Sequence, residues 1–179
     1  LKRVDGSFVI EEGQTGIVVD NTASENAIYE YLTTQWKGGD GAVDLAVTEE
    51  VPKGNAEELS KVKDVLGTFT TSFSSSGRDR SANVTNGCNL INGATILPGE
   101  TFSTYEAVSP FTESNGYYMA GSYLNGQVVD SIGGGICQVS TTLYNAVLKS
   151  ELQVDERHNH SMIVGYVKPS MDAAIAESA

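Results

Sequence analysis

Three residues in the last third of the chain carry types and an order that can do chemistry. Cys137 follows Gly133, Gly134 and Gly135 in "SIGGGICQVSTTLYNAV" and opens a run with helical spacing. A cysteine attacks as its thiolate, so it needs a nearby base or positive field. Three glycines let the backbone turn sharply and let a ligand come close. Cys137 then falls in the first turn of the expected helix, where unpaired amide N–H groups favour negative charge and can hold an oxyanion. Gln138 adds a side-chain donor. His160, in "ERHNHS", is the candidate base and acid. Asp172, in "PSMDAAIA", twelve residues further on, is the candidate to orient its ring.

A bland reading competes with this one. Cysteine is among the most buried residue types, and glycines before a helix can simply fit a crowded corner. The string lacks the lysine and Ser/Thr ending of a phosphate-binding loop, and its glycine spacing fits no dinucleotide fingerprint. His158 reads as an exposed strand-end histidine. Cysteine at a helix start, then histidine and acid on successive strands, resembles the layout of transglutaminase-like and papain-like enzymes, by fold analogy alone. Glu156 and Arg157 are candidates for a buried pair beside the site. Tyr117, Tyr118 and Tyr123 are candidates to line a groove or pack in a sheet, and Arg78 and Arg80 to meet a ligand carboxylate or start a helix.

The elements that must position these residues follow from periodicity. "GSFVIEEG" and "TGIVVD" predict two short strands, and "NTASENAIYEYLTTQW" a helix capped by Thr22 or Ser24. A strand with Val43, Leu45 and Val47 on one side completes a small α/β unit ending near Pro52. "NAEELSKVKDVL" predicts a connecting helix over 55–66, followed by a β-prone stretch and a polar serine loop. A helix over 79–91, turns at Asn92-Gly93 and Pro98-Gly99, and a strand at "TFSTYE" come next. Asn83-Val84-Thr85 matches a glycosylation acceptor, a pattern common by chance. Asn125-Gly126 joins two β-prone runs as a hairpin. Val139, Leu143, Ala146 and Val147 place one apolar face on a helix over 137–149. "LQVDERHNHSMIVGYV" then reads as two strands. The fold class is α+β.

The chain of 179 residues has 11 basic and 23 acidic residues, a net charge of -12, and 40% hydrophobic residues. It is long enough to bury a core, and its acidic surface repels nucleic acid and anionic lipid. Two cysteines make a poor disulfide framework, and a metal site on His158 and His160 would need both of those distant cysteines, so no metal or other cofactor is expected. The chain opens without methionine and is expected to be an excerpt of a longer protein.

The runs "PGETFS", "GGGICQVSTTLYNA", "ER..HS" and "DAAIA", in that order, resemble the core of the VanW-like family over residues 70–176. That family is named after an accessory protein of some glycopeptide-antibiotic resistance clusters in Gram-positive bacteria. The resemblance divides the chain into residues 1–52, similar to the C-terminal part of a domain ascribed to peptidoglycan binding, a connection at 53–69, and the VanW-like domain at 70–179. It implies an extracytoplasmic, cell-wall-facing protein whose partner is peptidoglycan or a related peptide or glycan. The family's motif residues fall here on Gly133, Gly134, Gly135, Cys137, Gln138 and Ser140, on Thr141 and Asn145, and on Glu156, Arg157, His160, Ser161 and Asp172. Of these, Gly134, Gly135, Gln138, Ser140, Glu156 and Arg157 are expected to bind substrate. Cys88 stands where a small residue is expected, which implies packing.

Two functions stay open on this reading. In one, Cys137, His160 and Asp172 catalyse amide hydrolysis or acyl transfer on a peptidoglycan-related peptide. In the other, the same loop and strand ends form a non-catalytic cell-wall or glycopeptide-related binding module.

Overall fold

A computed structural model describes residues 2–5, 7–11, 13–54, 56–124 and 126–175. The chain divides into two units, Leu1–Lys63 and Asp64–Ala179.

In the first unit, β1 (Lys2–Val4) pairs antiparallel with β2 (Ser7–Val9). β3 (Gly16–Val19) pairs antiparallel with β4 (Val47–Glu50), with Gly16 opposite Glu50. Between them runs α1 (Asn21–Glu30), extended by a π-helical stretch at Tyr31–Gln35. Its cap is Asp20, not Thr22 or Ser24: the carboxylate accepts the Ala23 N–H at 2.9 Å. Ser24 instead turns inward and donates to the Ala46 carbonyl at 3.2 Å. Among the described residues of this unit, only Ser24 and Leu59 are buried, and Ile17 is 73% exposed.

The connecting helix is much shorter than predicted: α2 covers only Ala56–Leu59. Leu59 alone finds cover, whereas Val62, Val65 and Leu66 stay exposed. A short helix without an apolar face to bury does not sustain itself in water. Asn55 lies outside the described residues.

The second unit holds α3 (Arg78–Ile91), α4 (Thr104–Val108), a hairpin of β5 (Met119–Leu124) and β6 (Gln127–Ile132), and α5 (Cys137–Lys149). The hairpin pairs Leu124 with Gln127 across a two-residue turn. Asn125 lies outside the described residues, and Gly126 has φ of 74°, as such a turn requires. Val84, Val108, Tyr117, Ile136 and Val139 form the core. Tyr117 is buried in it rather than lining a groove; its hydroxyl donates to the Val108 carbonyl at 2.7 Å, and Phe111 meets its ring edge-on at 5.3 Å. At Gly87 a Cβ would come 2.2 Å from Ile136 Cδ1, so α3 and α5 approach closely because that position has no side chain.

Two strand predictions in this unit give way. "TFSTYE" is the start of α4, because Ser103 accepts the Glu106 N–H at 3.2 Å in a capping arrangement. Residues 152–167 form no ladder; a single bridge joins His158 to Ala174. The candidate histidine and aspartate therefore sit on loop segments. The fold remains α+β, with small antiparallel sheets and α5 at its centre.

Candidate functional site

The site is assembled around the first three turns of α5. Gly134 is the tightest point before it: a Cβ there would lie 2.1 Å from the Ala120 carbonyl oxygen. Its own carbonyl accepts from Asn83 Nδ2 at 2.9 Å. Asn83 also accepts the Tyr118 N–H and donates to the Tyr118 carbonyl, so one fully buried amide ties α3, β5 and the glycine loop together. The glycosylation pattern at Asn83 is thus closed to modification, and only that pattern had drawn attention to the residue.

α5 then holds the C-terminal segment with side chains. Ser140 and Thr141 both donate to the Ala173 carbonyl, at 2.7 and 3.1 Å, and Thr141 accepts the Ala173 N–H at 3.0 Å. Asn145 donates to the Met171 carbonyl at 2.7 Å. Cys137 joins the same set, its thiol donating to the Ile175 carbonyl at 3.1 Å. Burial pushes the Cys137 thiol up, and the hydrogen bonds and the nearby Arg80 charge offset this only in part. Gln138 is buried and points away from solvent: it accepts from Arg80 at 2.8 Å and donates to Thr71 Oγ1 and the Ser72 carbonyl, each at 3.0 Å. Arg80 is thereby tied to the α5 start, while Arg78 is exposed.

Asp172 organises the other side. Its Oδ2 accepts the His160 backbone N–H at 2.6 Å and faces His160 Nδ1 at 2.7 Å. Its Oδ1 accepts from Arg157 Nη2 at 3.0 Å, while Arg157 Nε donates to the Asp172 carbonyl at 2.7 Å. Burial opposes the charge on this carboxylate, but the His160 amide and ring outweigh it and hold Asp172 below the usual carboxylate range. A carboxylate at Nδ1 keeps the proton on that nitrogen and leaves Nε2 as the open position. The side chains of His160 and Asp172 are 8% and 12% exposed. Tyr123 meets the His160 ring edge-on at 6.3 Å.

The structure brings His160, Asp172 and Arg157 into one network. It forms no hydrogen bond between Cys137 and His160 among the described residues, and Cys137 does not border the pocket beside His160. That open pocket, of about 320 Å³, is walled by Arg157, His160, Met162, Ile163, Lys168 and Asp172, with Ser161 at its edge. Glu156 does not pair with Arg157; it is exposed and faces His158 Nε2 at 2.6 Å. Cys88, predicted to pack, is exposed, and both cysteines are free. Tyr166, which sequence reasoning passed over, is half-buried beside Thr141, and burial pushes its phenol up to about 12.

The comparisons with known proteins agree with this arrangement of motifs. The profile of the VanW like protein family matches residues 79–179. An uncharacterized protein, YoaR, of Bacillus subtilis (strain 168) is 33% identical over 172 residues, covering 96% of this chain and 55% of the relative. The chain thus spans about half the length of that relative. No solved structure matches significantly. With more than half of the chain inside the family profile, and the glycine loop, α5 and the His160–Asp172 segment all within it, the chain belongs to the VanW-like protein family.

Proposed function

We propose that the VanW-like domain binds a cell-wall ligand, a peptide or glycan related to peptidoglycan, in the pocket beside His160. The observation that carries this reading is the engagement of both oxygens of Asp172. The buried carboxylate fixes a ring and a guanidinium at the edge of an open pocket. Burying charge is costly, and a fold that sustains it beside a cavity has preorganised polar groups for a ligand. The wall as the source of that ligand, and a wall-facing, anchored parent protein, follow from the family resemblance. Sedimentation of the protein with purified peptidoglycan against a cellulose control tests the reading. Enrichment that falls with His160→Gln supports it; equal sedimentation with both polymers overturns it.

A second reading, cysteine-dependent acyl transfer, is favoured by the same dyad and by Arg80. In that reaction Cys137 Sγ attacks an amide carbonyl carbon and its proton passes to His160 Nε2. The leaving amine takes the proton, and water or another amine cleaves the thioester. The segment at 173–175 would have to lift from α5 first, because the thiol now donates to Ile175. A thioester mass on Cys137 after incubation with wall peptides would establish this reading.

A further inference from the structure

The pocket beside His160 carries more positive charge than it uses. Arg157 spends Nε and Nη2 on Asp172 and the Ser170 carbonyl, and its Nη1 has no partner among the described residues. Lys168 lines the same pocket with no partner for Nζ among the described residues. Asp172 is the one acid among the described lining residues, and each of its oxygens already accepts a hydrogen bond. Two cations thus face one satisfied carboxylate, in a chain whose net charge is -12. Met162, Ile163, Val164 and Pro169 form an apolar part of the wall, beside the polar Asn159, His160, Ser161 and Ser170, and Ile163 is 80% exposed.

Open N–H donors beside a small apolar wall select for chemistry. The remaining N–H bonds of Arg157 Nη1 can donate to one oxygen of a carboxylate, and a flexible ammonium can close on the other. The apolar wall covers a short aliphatic substituent next to it. About 320 Å³ accommodates a group of that size and not a folded partner.

We propose that this pocket holds a free carboxylate carrying a short aliphatic group, with Arg157 and Lys168 as its partners. The inference rests on the ligand-binding reading above and narrows its chemistry. Such a carboxylate comes either from a small organic acid or from the C-terminus of a peptide.

The test is a titration of the whole chain, followed by NMR, with three probes. Isovalerate represents the free acid, acetyl-Gly-Val the peptide terminus, and acetyl-Gly-Val amide the same peptide without its charge. Isovalerate or acetyl-Gly-Val, or both, should shift resonances of His160 and residues 162–168; the stronger of the two identifies the source. The amide should bind at least tenfold more weakly than acetyl-Gly-Val. Lys168→Met, at an exposed and unbonded side chain, should leave the spectrum of the free protein in place and weaken the carboxylates at least fivefold. Cys137→Ser should bind as the wild type does. Equal binding of peptide and amide, an unchanged affinity in Lys168→Met, or no binding of either carboxylate at 20-fold excess over about 1 mM would overturn the inference. Carboxylate binding without any sedimentation on peptidoglycan would sink the wall-ligand reading alone. Sedimentation that ignores Lys168→Met, with no binding of either carboxylate, would sink the carboxylate alone.

Discussion

Asp172 accepts from the His160 amide, faces the His160 ring and pairs with Arg157, and each contact weakens if the carboxylate loses its charge. Asp172→Asn keeps the shape and leaves a partly exposed guanidinium without its counter-charge, so it should cost about 1–2 kcal/mol in urea unfolding near neutral pH. The pH dependence has a definite sign. The folded pKa is depressed, so the contribution is fully present above the unfolded value of roughly 4 and disappears as pH falls through the lower folded value. The stability gap between wild type and Asp172→Asn should therefore narrow from pH 5 towards pH 2; a constant gap would contradict the assignment. The thiols give a second residue-scale test. Burial pushes both thiols up, but Cys137 is covered whereas Cys88 is exposed. Native alkylation should reach Cys88 first and Cys137 only on local opening, reversing the order expected of a catalytic Cys137.

At the scale of elements, the glycine loop is where sequence and packing meet most directly. Gly134 abuts the Ala120 carbonyl, a backbone group that cannot swing aside. Gly134→Ala should cost about 3 kcal/mol, or abolish cooperative unfolding, while Gly77→Ala, in open space, should cost under about 1 kcal/mol. The helix after the loop was legible because Val139, Leu143, Ala146 and Val147 recur at helical spacing, and the hairpin because of its Asn-Gly turn. α4 was not legible from propensity, since its threonine, tyrosine and phenylalanine neighbours favour strands; the Ser103 to Glu106 cap was the signal that decided it. Residues 152–167 look β-prone, but a strand needs a partner edge, and this segment is tied to Asp172 through Arg157 and His160 instead. The pairing of His160 with Asp172 could be read from residue types and order. Arg157 as the third member, and the diversion of Cys137 to Ile175, depend on how the segment folds back, which no local pattern encodes.

Across the whole molecule, burial is uneven. The second unit holds the described core, whereas the first buries only Ser24 and Leu59 among its described residues. Backbone amides of α5 should thus exchange with solvent orders of magnitude more slowly than those of β3 and β4, and comparable protection in both units would contradict this division. The central proposal is that ligand is held in the pocket organised by Asp172 without the Cys137 sulfur. The most direct measurement is calorimetric titration of soluble wall fragments into wild type, Cys137→Ser and His160→Gln, with intact mass recorded after each titration. The account predicts unchanged affinity for Cys137→Ser, at least tenfold weaker binding for His160→Gln, and no added mass on the wild type. Loss of binding in Cys137→Ser together with an acyl adduct on wild-type Cys137 would contradict it.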